Sequence, residues 1–324
     1  QPGNEVLPVL DITPIAKNEL SYFPEGIYVQ VSTISDIYQV LAKNPVRVIL
    51  EFNFETRNGL LVKKAKIPIS KKQIIISLDP YLPSSKEEQL ASDLESLISE
   101  GFSTFVVNNM AHINLLKSKK ANMIAGPYLY TFNRWAASWF ENQNIGAFIS
   151  PLENSFDNLK DTWEQNVRGR VMVTIFAYPA LFRMRFRLPE SYDFLYFMDK
   201  EEKVFKVNSN IDGTVVMPEA PFSIADRTDK IKSAGFTRIL IDFSRTKVSR
   251  QELKMVTTAI AKKQPILEAS RFNWKDGFYS PEKIEIYKAM NEKAAAERAA
   301  GFGKAQYQKL PKNENKNGRK SRRR

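Results

Sequence analysis

Three carboxylates stand at the ends of short apolar runs and are the first candidates for chemistry. Glu51 lies in the run RVILEFN, Asp79 follows QIIISL, and Asp242 lies in ILIDF. Carboxylates that converge on one place can act as general acid and base, or bind Mg²⁺ through their oxygens. The alternative role is structural, because strand ends meet solvent and polar residues belong there. We predict that Glu51, Asp79 and Asp242 are catalytic.

Other polar side chains fall near the same predicted strand ends and are candidates for ligand binding. Asn108 and Asn109 are adjacent amides, and the run FRMRFR alternates arginine with apolar residues. On a strand, Arg183 and Arg185 would share one face, where guanidinium groups can bind a phosphate or carboxylate. Their alternative role is a solvated sheet edge. Three more polar residues lie close to the predicted strand ends: Tyr128, Ser150 and Tyr178.

Two further features have both a functional and a structural interpretation. His112 is the only histidine and follows a predicted strand, so it is placed to act as a general base; the alternative is a solvated loop histidine. Trp135 and Trp139 are spaced i, i+4 on a predicted helix. That spacing puts both rings on one helix face, and we predict core packing rather than a ligand platform.

The composition excludes several classes of site. The chain has 324 residues, 43% hydrophobic and 26% charged, which is typical of a folded globular protein. It contains no cysteine and one histidine, which excludes thiolate zinc sites, cysteine-ligated iron–sulfur clusters, a cysteine nucleophile and a HExxH metallopeptidase site. We therefore expect no metal and no cofactor. No apolar run is long enough to span a bilayer, so we expect no membrane association and a cytoplasmic location.

The positive charge is concentrated at the C-terminal end. Residues 304–324 hold nine Lys or Arg and one Glu, which gives +8 of the formal net charge of +12. Such a segment attracts nucleic acid because each neutralised phosphate releases counterions; the alternative is a terminal solubility segment. RNA or the ribosome is the predicted partner. The predicted contacts are Arg319, Lys320, Arg322, Arg323 and Arg324.

Eight short β-rich runs, most of them followed by helical periodicity, predict how these residues are positioned. The predicted strands are Tyr28–Thr33, Arg47–Asn53, Gln73–Leu78, Ser103–Val107, Asn122–Ala125, Ala147–Ser150, Val171–Phe176 and Arg238–Phe243. The predicted helices are Ile34–Lys43, Ser85–Glu100, Ile113–Lys119, Phe132–Asn142, Phe156–Gln165 and Arg250–Lys262. This alternation favours a (β/α)₈ TIM-barrel-like fold over an open doubly wound sheet. The carboxyl ends of the strands would then share one mouth.

The long segment between the seventh and eighth strands interrupts this alternation. Asp193–Met198 and Lys203–Val207 predict a small β-hairpin, and Asp212-Gly213 indicates a second turn. We therefore predict a barrel over residues 1–270, with a β insertion at about 187–220. Ser280-Pro281 predicts the start of a helix, within a helical extension over 271–302. Residues 303–324 are polar and basic, and we predict a disordered tail.

Several segments, taken in order, resemble a known family. They are FVVNNMAHINLLK from Phe105, IAGPYLYTFNRWAASWF from Ile124, GAFISPLENSFDNL from Gly146, TIFAYPALFRMRFRL from Thr174, and DGFYSPEK from Asp276. Their order and spacing are similar to those of the collagenase-like peptidases, a family of unsettled catalytic type called the U-thirty-two group. The resemblance implies a barrel protein that hydrolyses peptides. Some members of this family are RNA hydroxylation factors, and others act in ubiquinone biosynthesis.

The resemblance also assigns residues, and it has clear departures. It places Asn133 at the family's asparagine, Glu153 next to the family's glutamate position, and Arg183 and Arg185 at the family's arginines. These four residues are predicted to bind ligand. Cysteines of the family pattern are replaced by Phe186 and Thr214. Because members with an iron–sulfur cluster bind it through such cysteines, we expect no cluster-dependent activity from this chain.

Three functions remain open from the sequence. The first is a peptide hydrolase, as the resemblance implies. The second is a noncatalytic or partner-dependent RNA-associated factor that uses the basic tail. The third is the C-terminal portion of a longer enzyme, in which a missing N-terminal segment or a partner chain supplies the chemistry.

Overall fold

The computed structural model describes residues 20–266 except 193 and 201, and also residues 289, 292, 293 and 296. Its strands are β1 (Gly26–Val31), β2 (Arg47–Phe52), β3 (Ile74–Leu78), β4 (Thr104–Val107), β5 (Asn122–Ala125), β6 (Ala147–Ile149), β7 (Val171–Ala177), β8 (Phe182–Met184), β9 (Tyr196–Met198), β10 (Val204–Asn210), β11 (Gly213–Pro218), β12 (Phe222–Ser223) and β13 (Arg238–Asp242). The first seven strands and β13 match the eight runs predicted from the sequence.

These eight strands form a closed parallel barrel. β1 to β6 pair in sequence order, β7 pairs with both β6 and β13, and β13 pairs back with β1. An open doubly wound sheet would leave two edges, and here both edges are joined. The predicted (β/α)₈ fold is therefore confirmed. The short strand β12 adds to β7 in antiparallel orientation.

Helices connect the strands around the barrel. The α-helices are α1 (Ile34–Val40), α2 (Phe54–Arg57), α3 (Glu87–Ser99), α4 (Met110–Leu116), α5 (Arg134–Glu141), α6 (Phe156–Thr162), α7 (Thr228–Ser233) and α8 (Arg250–Lys262). Short 3₁₀ turns span Leu41–Lys43, Lys71–Gln73, Ser84–Lys86, Pro127–Leu129, Arg168–Arg170 and Ala225–Arg227, and a π-helical turn spans Asn58–Val62. None of the described helices is long and apolar enough to cross a lipid bilayer.

Side-chain caps fix the turns between strand and helix. Thr33 and Asn53 each accept a hydrogen bond from a backbone N–H of the helix that follows, and Asn109 and Asn133 do the same. A cap satisfies a helical N–H that has no partner within the helix. Thr33, Asn53 and Asn109 follow their strands by one or two residues, so these caps lie at the carboxyl ends of the strands.

Side chains along the strands alternate between two cores. Outward side chains such as Val29 and Leu50 pack against the helices, whereas Tyr28 and Ile49 point into the barrel. The residues of the inner core are Phe23, Tyr28, Ile49, Ile75, Val106, Ile124, Ala147, Ile149, Met172 and Leu240. They are buried, so the lower part of the barrel is a packed interior rather than a pore.

The segment between β7 and β12 forms a second, smaller sheet. Its strand order is β8-β11-β10-β9, and all neighbours are antiparallel. Phe205, Val207 and Val216 form its own small core. The predicted hairpin is confirmed as β9 and β10, and β8 and β11 extend it. Gly213 makes the second turn with φ of +125°, where an added Cβ would lie 2.4 Å from the carbonyl oxygen of Met184.

Two expectations outside the barrel have different outcomes. Trp135 and Trp139 were expected to pack in a core, and this is wrong, because they are 50% and 44% exposed. On the short helix α5 the buried face is instead formed by Ala137 and Phe140. Four residues of the predicted C-terminal extension are described, at positions 289, 292, 293 and 296, and they are helical. The predicted tail lies outside the described residues.

Candidate active site

The inner face of the barrel becomes polar at the carboxyl ends of the strands. Side chains alternate along a strand, so the residue two positions after each inner core residue also points inward. Two positions after Tyr28, Ile49, Ile75, Val106, Met172 and Leu240 come Gln30, Glu51, Ser77, Asn108, Thr174 and Asp242. These six polar residues form a layer directly above the apolar interior. Two of the three predicted catalytic carboxylates, Glu51 and Asp242, belong to this polar layer.

Arg245 joins these two carboxylates. Its Nη1 lies 3.4 Å from Oε1 of Glu51, and its Nη2 lies 3.4 Å from Oδ2 of Asp242. The side chains of Arg245, Glu51 and Asp242 are 11%, 20% and 14% exposed. Oδ1 of Asp242 also accepts a hydrogen bond from the backbone N–H of Ser244 at 2.7 Å. The two carboxylates thus share one largely buried cation.

The loop after β13 holds Arg245 in a strained backbone conformation. Its φ is +68°, a left-handed region that side chains other than glycine rarely adopt. Its backbone N–H donates to Oγ of Ser32 at 2.6 Å, and its Nη2 donates to the carbonyl of Tyr178 at 3.4 Å. Oγ of Ser32 donates in turn to Oε2 of Glu51. Ser32 therefore links the backbone of Arg245 to the carboxylate that its side chain contacts.

Burial raises the pKa of the Glu51 carboxyl. Arg245 and the hydroxyl of Ser32 act in the opposite direction, whereas the negative charge of Asp242 raises this pKa further. The loss of hydration on burial is the largest of these effects. Glu51 therefore holds its proton to a higher pH than a solvated glutamic acid. A carboxyl of this kind, at the carboxyl end of a barrel strand, is suited to proton transfer.

Asp79 lies at the same mouth but is more exposed, at 44% of its side chain. Its Oδ2 is 2.9 Å from Nη2 of Arg183, and its Oδ1 accepts from the N–H of Tyr81 at 2.8 Å. Nη1 of Arg183 donates to the hydroxyl of Tyr128 at 3.1 Å, with its guanidinium 5.5 Å from the centre of that ring. Arg183 therefore pairs with Asp79, whereas Asp242 pairs with Arg245.

The small sheet covers the mouth through further polar and cation–π contacts. Arg185 stacks on the ring of Tyr81 at 4.2 Å, and Lys206 lies 5.6 Å from the ring of Tyr178. Asp212, in the turn between β10 and β11, accepts from the backbone N–H of Phe54 at 3.2 Å. Burial raises the pKa of Asp212, and Asp79 contributes in the same direction. β8, β10 and the turn after β10 thus form a lid, and we use that name below for residues 182–218.

Asn108 and Asn109 have different positions. Nδ2 of Asn108 donates to the carbonyl of Leu78 at 2.8 Å, while its Oδ1 is buried and has no hydrogen-bond partner among the described residues. Nε of Arg245 is buried in the same unpartnered state. Asn109 instead caps α4, and its Nδ2 donates to the carbonyl of Pro80.

The other predicted residues lie at the edge of this site or outside it. Asn133 caps α5 through its side-chain oxygen. Glu153 is exposed and lies near Tyr130. Burial raises the pKa of Tyr130, and the charge of Glu153 raises it further. Ser150 is buried, with its hydroxyl near the amide of Asn154 at 3.4 Å. The hydroxyl of Tyr178 donates to Glu252 on α8, so this residue offers the site its backbone carbonyl.

His112 is buried, which corrects its interpretation as a solvated loop residue. It lies on α4 with no exposed surface, and its Nδ1 accepts the backbone N–H of Asn108 at 3.3 Å. The helix starts at Met110, three residues earlier than predicted, and this carries His112 inward. Burial lowers the pKa of His112 to about 4. The imidazole is therefore neutral at pH 7 and holds the turn after β4.

This buried histidine predicts a specific loss of stability in acid. Between pH 6.5 and 4 the unfolded chain binds a proton on His112 that the folded chain does not, so stability falls as the pH falls. We expect a cost of about 2 kcal/mol between pH 7.5 and pH 5. Chemical denaturation of the wild type and His112→Gln across this range isolates the effect, because only the wild type carries it. If the free energy of unfolding changed equally with pH in the two proteins, the burial of a neutral histidine would be contradicted.

The site contains residues that the sequence did not single out. Arg245 is the most important of them, and it follows Asp242 by three positions in the run DFSRT. Ser32 is another of them, and Asp212 was considered only as a turn residue. In the part of the chain that the structure describes, no three His, Asp or Glu side chains are grouped closely enough to bind a metal ion. Glu51, Asp79 and Asp242 therefore do not form such a group in this structure.

Comparison with known proteins adds little to this geometry. No model of a known family matches the chain, and no curated protein matches it. Among solved structures, tryptophan synthase subunit alpha from Legionella pneumophila str. Paris is 8% identical with a TM-score of 0.39, covering 76% of this chain and 89% of that chain. The Bacillus cereus spore cortex-lytic enzyme SleL is 8% identical with a TM-score of 0.34, covering 76% of each chain. These similarities concern the fold alone.

Proposed function

We propose that this protein is a hydrolase that cleaves a peptide at the lid-covered mouth of its barrel, with Glu51 as the proton-transfer group. The observation that carries the proposal is a buried carboxyl of raised pKa that points into the mouth. The peptide as substrate class comes from the resemblance to collagenase-like peptidases. The position agrees with the barrel fold, in which active sites lie at the carboxyl ends of the strands.

Each step of peptide hydrolysis has a candidate group at this mouth. Asp79, the most exposed of the three carboxylates, is placed to take a proton from a water molecule, whose oxygen then attacks the peptide carbonyl. Glu51 donates its proton to the leaving amide nitrogen as the C–N bond breaks. The products are a carboxylic acid and an amine, and one water is consumed. The proton taken up by Asp79 returns to Glu51 through solvent, which restores both groups. Proton transfer from a positioned carboxyl contributes roughly 10²- to 10⁴-fold to a rate.

Arg183 is the candidate for binding the substrate. It reaches the mouth from the lid, its side chain is 28% exposed, and it is oriented by Asp79 and Tyr128. A guanidinium held on an aromatic face presents its remaining N–H groups to a carboxylate or a carbonyl oxygen. We therefore propose that Arg183 binds a carboxylate or main-chain carbonyl of the peptide.

Replacing Arg183 tests the proposed function at the binding step. We expect Arg183→Gln to raise KM about 10-fold, since a hydrogen bond to a charged group is worth about 1.5 kcal/mol or more. The value of kcat should fall as well, because Arg183 pairs with Asp79, the proposed base, and its charge also acts on Glu51. The measurement is the cleavage of a mixed peptide library, followed by mass spectrometry, and then kinetics on the best peptide.

Arg187→Gln provides the matched control, because Arg187 is an exposed arginine of the same lid. It should leave KM unchanged. An absence of peptide cleavage by the wild type would overturn the proposed function. Equal effects of the two substitutions would remove Arg183 from the binding site.

The remaining expectations stay predictions. The basic residues from Arg319 to Arg324 lie outside the described residues, so RNA or ribosome binding through them is untested. A partner chain that completes the chemistry is equally untested. A cytoplasmic location is the proposed setting, in keeping with a chain that has no cysteine.

A further inference from the structure

The outer rim of the lid exposes an unusual amount of apolar surface. Six large side chains before and within β9 are between 39% and 68% exposed. They are Tyr192, Phe194, Leu195, Tyr196, Phe197 and Met198. We call this set the β9 rim. Single exposed apolar residues are normal on protein surfaces, but a contiguous set of this size marks an interaction site.

β9 is also an open sheet edge. It is the last strand of the small sheet, and among the described residues no strand pairs with its outer side. Edge strands of stable monomers usually carry charges, prolines or bulges that prevent pairing with another strand. β9 consists of Tyr196, Phe197 and Met198, which include no charge and no proline, so its protection is limited to its short length.

The backbone of β9 has a defined pattern of free hydrogen-bonding groups. Val207 N–H donates to the carbonyl of Leu195, and Asp199 N–H donates to the carbonyl of Lys203, so Phe197 also bonds inward to β10. In an antiparallel ladder the intervening residues direct their N–H and C=O groups outward. Tyr196 and Met198 therefore present two donors and two acceptors at the outer edge.

We propose that the β9 rim is a dimer interface, at which two copies of this chain pair their β9 strands antiparallel about a two-fold axis through Phe197. In this register Tyr196 of one copy lies opposite Met198 of the other. The two outward donors and two outward acceptors of each copy then meet, which forms four hydrogen bonds. The two four-stranded sheets become one continuous sheet of eight strands.

The geometry favours a second copy over a different partner. In β9 the outward N–H and C=O groups lie at the first and third of three residues. Such a strand is complementary to a second copy of itself in antiparallel orientation, as a two-fold interface requires. The axis also places Phe197 opposite Phe197 of the other copy. On the same face, the ring of Phe197 already stacks on Phe205 at 5.1 Å, so the pair would extend the small core of the lid across the axis.

The apolar area sets an upper limit on the size of the interface. With about 200 Å² for each large side chain, the exposed fractions of the β9 rim amount to roughly 600 Å² in each copy. Two copies would bury at most about 1,200 Å² of this surface, which is the lower end of the range for specific protein interfaces. The proposal therefore predicts a dimer that dissociates at low concentration rather than a permanent one.

Disulfide formation tests the register directly, because the chain has no native cysteine. In Phe197→Cys the two introduced thiols face each other across a non-hydrogen-bonded pair, where the Cα atoms are about 4.5 Å apart, within the range for a disulfide. With an added oxidant, we expect the full-length variant to form a covalent dimer. Tyr196→Cys should not crosslink to itself, but it should crosslink to Met198→Cys when the two variants are mixed.

The oligomeric state provides the second measurement. Phe197→Asp places two like charges opposite each other at the axis, and we expect the dissociation constant to rise at least 100-fold in analytical ultracentrifugation. Ile211→Asp is the matched control, because Ile211 is 69% exposed on the same sheet but lies in a turn away from β9. It should dimerise like the wild type.

Several results would overturn the proposal. The proposal would be wrong if the wild type stayed monomeric at high concentration. It would also be wrong if Tyr196→Cys crosslinked to itself more readily than Phe197→Cys does. Equal weakening of the dimer by Phe197→Asp and Ile211→Asp would place the interface elsewhere. Binding of the monomer to anionic lipid vesicles through the β9 rim, with loss of that binding in Phe197→Asp, would identify a membrane surface as the occupant instead.

Discussion

Arg245→Ala is expected to lower the free energy of unfolding by about 3–5 kcal/mol, one of the largest effects that a single substitution can have in this protein. The reason is the position of Arg245 between two carboxylates that are themselves largely buried. Without the guanidinium, the largely buried carboxylate of Asp242 loses its charged partner, and Glu51 loses its contact with Nη1. For a chain of this size the melting temperature should fall by about 10 °C.

Two further substitutions at this position separate charge from backbone strain. Arg245→Gly removes the same side chain but accommodates the φ of +68°, so it should be more stable than Arg245→Ala by about 1 kcal/mol. Arg245→Lys keeps the charge and should recover part of the loss. A change below 1 kcal/mol in Arg245→Ala, measured by chemical denaturation at pH 7, would show that the ion pairs contribute little.

Glu51→Gln is expected to reduce kcat for peptide cleavage by about 10²- to 10⁴-fold. Glutamine has nearly the same shape and still accepts a hydrogen bond from Ser32, but it cannot donate a proton as a carboxyl does. The substitution also removes a buried carboxyl that loses hydration, so the loss of stability should be small compared with that of Arg245→Ala. Steady-state kinetics and a thermal melt on the same sample give both quantities.

Glu55→Gln is the control for this substitution. Glu55 is an exposed glutamate on α2, four residues after Glu51, and nothing assigns it to the mouth. It should cleave peptides at the wild-type rate. Retention of full activity by Glu51→Gln would exclude Glu51 as the proton donor. A melting temperature of Glu51→Gln as low as that of Arg245→Ala would show that the role of Glu51 is structural.

The sequence alone was sufficient to predict the barrel fold and the strand ends at which the carboxylates lie. Each barrel strand is a short apolar run with an alternation of period two, and this period decides which side chains point inward. Once Ile49 and Leu240 point into the barrel, Glu51 and Asp242 must do so as well.

Other features depend on contacts that no local pattern encodes. Arg245 adopts a left-handed backbone conformation that sequence rules reserve for Gly, Asn or Asp, so its side-chain direction could not be predicted. His112 became buried because α4 begins three residues early. Trp135 and Trp139 have the spacing of a helix face, but spacing alone does not say whether that face meets the core or the solvent.

The titration of Glu51 itself is the most direct test of the claim that this mouth holds a proton-donating carboxyl. Glutamate labelled with ¹³C at the side-chain carboxyl, compared by NMR between the wild type and Glu51→Gln, isolates the signal of Glu51. We expect a pKa above the ordinary value of a glutamic acid, because burial outweighs the charge of Arg245. A pKa at or below the ordinary value would mean that Glu51 is a permanent anion paired with Arg245, and that it cannot be the proton donor.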